Sequence, residues 1–184
     1  MSVGRILPAV ALLLLILGVS GSAQAHLMGR GHATLNVVAD KAYIVMSVSV
    51  SVFSETGASK AVSDGILTAG ELKAHQETLR AAIRAGLTVR HGQIPVKFSS
   101  ILLNLPKGNH HPSGRSSELT AMIVAPLGKK AQKTGVIEVK NALWGPPEKR
   151  LKLKATITAS GKIVRSELFE FTPAKDRHRF FQAQ

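Results

Sequence analysis

Apolar residues occupy every second position from 42 to 52: Ala42, Ile44, Met46, Val48, Val50 and Val52. Ser47, Ser49 and Ser51 lie between them. A period of two puts these sets on opposite faces of an extended chain, so the segment reads as a half-buried strand. Such a strand needs a second apolar layer to cover it. Just before it, Ala33, Leu35 and Val37 alternate with Thr34 and Asn36, and Asp40-Lys41 separates the two runs, which predicts a hairpin. Further on, Leu151, Leu153, Ala155, Ile157 and Ala159 alternate with Lys152, Lys154, Thr156 and Thr158. Ser160-Gly161 then supplies a tight turn, because glycine accepts positive φ. The return strand runs over 162–171, and its phase slips between Val164 and Leu168, which predicts a bulge. Weaker strand candidates are 96–105, 119–125 and 136–140. Short strands between turn signals predict a mainly β chain forming a β-sandwich-like domain, with a small barrel as the alternative.

One segment departs from this pattern. Residues 69–85 carry Leu72, Leu79, Ala82 and Ile83 on one helical face, and Gly86 follows as a natural C-cap. An amphipathic helix is therefore predicted as an insert in the β domain.

The chain begins Met1-Ser2-Val3-Gly4-Arg5, continues with an apolar run over 6–19, and reaches Ala23-Gln24-Ala25. A positive charge, a short apolar core and a small-x-small site are the parts of a cleavable signal peptide. The run falls short of the roughly 20 apolar residues that span a membrane. The expected organisation is a signal peptide over 1–25 and a single β-rich domain over 26–173. An insert at about 54–86 and a basic tail over 174–184 complete it. Cleavage near Ala25-His26 implies a periplasmic or extracellular protein with no transmembrane helix in its mature form.

Charge and cysteine content narrow the chemistry. There are 24 Lys+Arg against 11 Asp+Glu, a net charge of +13. An excess of that size favours anionic partners through long-range attraction, such as an anionic membrane surface or an acidic polysaccharide. Nucleic acid is not expected, because aromatics are 4% of the chain and show no stacking pattern. In the tail, Arg177, His178, Arg179, Phe180 and Phe181 combine cations with two rings, a composition suited to weak membrane attachment. The chain has no cysteine, which excludes thiol catalysis and thiolate metal sites. No Gly-x-Ser-x-Gly, His-Glu-x-x-His or nucleotide loop occurs, so a non-enzymatic role is expected.

Ahead of the predicted helix, residues 60–71 read Lys-Ala-Val-Ser-Asp-Gly-Ile-Leu-Thr-Ala-Gly-Glu. This run resembles the calcium loop of an EF-hand. Asp64 takes the fifth position, Gly65 the sharp sixth, Ile66 the carbonyl ligand at the seventh, Thr68 the ninth and Glu71 the bidentate closing position. Lys60 and Val62 stand where the first two acidic ligands belong, so calcium, the expected cofactor, would lack about half of its oxygens. A second reading accounts for the same residues without metal. Thr68-x-x-Glu71 is a capping box, and Asp64-Gly65 is a turn pair.

In its overall arrangement the chain resembles a group of small exported bacterial EF-hand-domain-containing proteins of unassigned function. The matching residues are Ala25-His26-Leu27-Met28, Thr34-Leu35-Asn36-Val37-Val38, and Asp64 to His75. The resemblance covers roughly the first third of the chain. It implies an EF-hand-type domain and a capacity for calcium, without naming an activity.

Copper is the alternative cofactor. Cleavage after Ala25 would give His26 a free α-amino group beside its imidazole. With His91, His110 or His111, these nitrogens would make a flat set suited to Cu(II).

Overall fold

The computed structural model describes residues 28, 30–54, 56, 58, 62, 64–106, 115–128, 136–144 and 149–182. The alternating runs form strands, but the run predicted over 42–52 leaves the sheet after Ser49, where the chain tightens into a 3-10 turn. β1 (His32–Val38) and β2 (Lys41–Ser49) are an antiparallel hairpin. Its turn is Ala39-Asp40, with Ala39 at φ 52°. A single 3-10 turn, Val50–Phe53, follows β2 and buries Val50, Val52 and Phe53. The short β3 (Leu67–Thr68) leads directly into helix α1 (Ala69–Gly86). Then come β4 (Leu87–His91), β5 (Ile94–Val96), β6 (Ser100–Asn104), β7 (Arg115–Ser116), β8 (Glu118–Pro126) and β9 (Ile137–Asn141). The chain ends with β10 (Leu151–Ala159), β11 (Lys162–Phe171) and β12 (Arg177–Phe180).

These strands make a mainly β domain of two principal sheets. The larger has the order β11-β10-β1-β2-β8-β6 and the smaller β12-β9-β4-β5, while β3 and β7 form a separate pair. In the larger sheet β1 runs parallel to β10 and antiparallel to β2, which joins the N-terminal hairpin to the C-terminal one. Inward residues from both sheets form one core: Leu35, Ile44, Met46, Leu119, Ile123 and Leu153 from the larger, Leu87, Val89, Ile137, Val139 and Phe180 from the smaller. Helix α1 adds Leu79, Ala82 and Ile83, as its apolar stripe predicts.

The predicted bulge is present. Ile157 pairs with Arg165 but Thr158 with Ile163, so Val164 is the extra residue on β11.

Two expectations are corrected. The basic tail is part of the fold: Arg177–Phe180 pairs antiparallel with β9, and Phe180 and Phe181 are fully buried. His178 stacks on Phe169 at 3.9 Å between centroids, and Phe180 meets Phe169 and Phe171. Both rings proposed for membrane contact are thus spent on the core: alternation sends His178 and Phe180 inward and the arginines outward, and Phe181, at φ 63°, departs from the strand and is buried too. Gly86 also has a different role. It is the last helical residue, and an added Cβ would lie 2.3 Å from Leu143 Cδ2. Glycine is needed there for close approach rather than for a left-handed cap.

Candidate functional site

The EF-hand-like turn is built from short-range hydrogen bonds. Gly65 adopts φ 69°, the conformation its position requires, and its N–H donates to Val62 O at 3.0 Å. Asp64 Oδ1 accepts from the Ile66 amide at 3.2 Å, an Asx turn. Leu67, fully buried, anchors the next step, and Leu67–Thr68 pairs with Arg115–Ser116. At the helix start, Glu71 N donates to Thr68 Oγ1 at 3.1 Å. Glu71 Oε2 accepts from Thr68 N at 2.7 Å and from the Thr68 hydroxyl at 2.9 Å. Both halves of the capping box are therefore present.

An arginine from a distant part of the sequence closes the turn. Arg115 donates from its guanidinium to Asp64 Oδ2 across 51 positions of sequence. It belongs to the polar run 109–117, of which residues 109–114 lie outside the described residues. The Glu71 carboxyl is held below its ordinary range, first by the Thr68 amide and then by the Thr68 hydroxyl. The charge of Arg115 acts in the same direction, while desolvation and Asp64 oppose it. One guanidinium thus influences both acids of the turn.

This arrangement is a poor match to calcium. The oxygens are of the right hard type, but Asp64 already faces a fixed cation and Glu71 already satisfies the helix cap. Val62, at the third position of the loop, is 1% exposed and belongs to the core. Among the described residues no three His, Asp or Glu side chains gather as a metal group. Lys60 and Ser63 lie outside the described residues, as do His26, His110 and His111 of the copper alternative. His91, its remaining candidate partner, is 7% exposed and faces inward from β4.

Cations dominate the outer face of the smaller sheet. Glu138 on β9 is buried between Arg179, at 2.8 Å, and Arg177, at 3.5 Å. The Arg179 hydrogen bond is the main cause that keeps the Glu138 carboxyl below its ordinary range, against the effect of desolvation. Arg177 and Arg90 add to it through their charge. Beyond β4, an open groove of about 480 Å³ carries Arg84, Arg90 and Lys97 around Thr88, Pro95 and Phe98. The net charge in the sequence pointed to a cationic surface; Arg115 carried no local signal, because its partner is remote in the chain.

Among the described residues no helix is long and apolar enough to cross a membrane. No family model matches the chain, and no curated protein matches it.

Proposed function

We propose that the protein is an exported, non-enzymatic binding module for anionic partners, in which an EF-hand-derived turn has lost calcium as its organiser. The observation that carries this reading is the pairing of Arg115 with Asp64 while Glu71 is engaged by Thr68. The guanidinium supplies the positive charge that a calcium loop takes from its ion, so calcium binding is weak or vestigial. The remaining surface cations, in large excess over acids, are then the binding chemistry.

Thermal unfolding of the protein starting at His26 tests the turn. Melting temperatures are compared in chelator and in about 2 mM calcium, since a ligand that binds only the folded state raises stability by mass action. The wild type is expected to show little shift. Arg115→Gln, which frees Asp64, is expected to gain one. A clear calcium shift in the wild type that disappears in Glu71→Gln would overturn the reading.

A further inference from the structure

The parallel pairing of β1 with β10 has a local effect at the end where both strands begin. His32 lies opposite Lys152, and Lys152 N donates to Gly31 O at 2.8 Å. Ala33 and Leu153 point into the core, so His32 and Lys152 point outward together. Arg30 and Arg150, two positions earlier on each chain, extend the pair into a block of four basic side chains. Gly31, at φ 71°, makes the bend that precedes β1.

Arg30, Gly31, His32, Arg150 and Lys152 line an open pocket of about 130 Å³. Every side chain in its lining is basic. Two neighbouring acids offset part of this charge from outside: Glu118 meets Arg30 at 3.1 Å, and Glu170 lies 3.8 Å from Lys152. Glu118 and Ser117 fix the Arg30 guanidinium through Nε and one terminal nitrogen. His32 Nδ1 donates to Arg30 O at 3.1 Å, which orients its ring. Arg150 is exposed and has no ion-pair partner among the described residues. Arg30 and Lys152 each have an acid within reach, so Arg150 is the cation of the block that is left to meet an anion.

We infer that the paired beginnings of β1 and β10 form a pocket for a single tetrahedral oxyanion, a phosphate or sulfate group. The volume suits one such group with a few waters. Guanidinium forks match the oxygen geometry of phosphate and sulfate, and the lysine adds a point charge. The groove around Arg84 and Lys97 is larger and more open and has an apolar floor, so it lacks this selectivity. The inference rests on the anionic-partner reading and deepens it.

The test measures thermal unfolding and calorimetric binding of the processed protein with sodium phosphate, sodium sulfate or sodium chloride at matched ionic strength. Sulfate and phosphate also stabilise proteins by general exclusion, so the decisive comparison is with Arg150→Ser/Lys152→Ser, in which that effect persists. Phosphate is expected to bind the double variant at least about tenfold more weakly than the wild type. Arg84→Ser should bind as the wild type does. Equal melting temperatures of wild type and double variant in chloride would confirm that the fold is intact. Vesicles of phosphatidylcholine with and without phosphatidic acid separate the sources of the group. Arg150-dependent attachment to phosphatidic acid assigns the pocket to a lipid headgroup, and free-phosphate binding without attachment assigns it to a soluble ion. Equal phosphate effects in wild type and double variant would overturn the pocket. Retained salt-dependent binding to a sulfated resin would then leave the broader anionic reading standing, whereas loss of that binding too would remove both.

Discussion

Two arginine–carboxylate pairs each fasten a short strand, and they do so in different surroundings. Arg179 joins β12 to Glu138 on β9, and Arg115 on β7 joins Asp64 ahead of β3. Glu138 is 7% exposed, whereas Asp64 is 52% exposed. β12 also buries Phe180 and is followed by buried Phe181, while β3 contributes Leu67 alone. The same ionic chemistry therefore finishes a core in one place and tidies a surface turn in the other. Burial of rings contributes more than an exposed or part-exposed ion pair, so β12 is held chiefly by what lies beneath its pair, and the charges mainly fix its geometry.

The sharpest way to break this comparison is to remove the buried ring and leave the ions in place. Phe180→Ala should destabilise the protein by about 3–5 kcal/mol in denaturant unfolding, since it removes a large buried side chain and leaves a cavity. A loss below about 1 kcal/mol would return the C-terminal segment to a loosely attached tail. Glu138→Gln should rank second, at about 1–2 kcal/mol. It removes a charged hydrogen bond, but the arginines are more than half exposed and solvent makes up part of the loss. Its pH dependence follows from the low position of the Glu138 carboxyl. That contribution is fully present above the ordinary value of 4.5 and is lost as pH falls through the lowered folded value. Wild type and Glu138→Gln should therefore converge in stability in acid, and parallel pH profiles would contradict the assignment. Arg115→Gln should have the smallest effect, below about 1 kcal/mol, because its pair with Asp64 is exposed and screened by salt. A larger loss that persisted at high salt would mean that the turn holds more of the fold than its burial indicates.

Most of the larger sheet was legible in the sequence because its strands are buried on one face only. β1, β2 and β10 alternate cleanly, and the bulge at Val164 on the largely exposed β11 showed as a slip in phase. Thr68 and Glu71 announced the helix start through their spacing. β4 gave no comparable signal, since Leu87–His91 follows the helix without a turn between them. β12 was obscured by composition: Arg177 and Arg179 suggested a solvated tail although His178 and Phe180 have the alternation of a strand. The candidate sites were the least legible. Asp64 and Arg115, like Arg30 and Arg150, meet only through strand pairings that no local pattern encodes. Val62 stood out in the sequence as a departure from the calcium-loop pattern; in the structure it is simply a core residue.

The parallel pairing of β1 and β10 also bears on the order of folding events. Asn36 on β1 accepts hydrogen bonds from Thr156 and Thr158, some 120 residues later in the chain. A chain delivered from its N-terminus can form the first hairpin early, yet one side of β1 stays an open strand edge until almost everything else has arrived. Contacts of such long reach slow folding and prolong the exposure of unpaired backbone. Escort of the nascent chain until β10 emerges would shorten the interval in which another molecule can take β10's place.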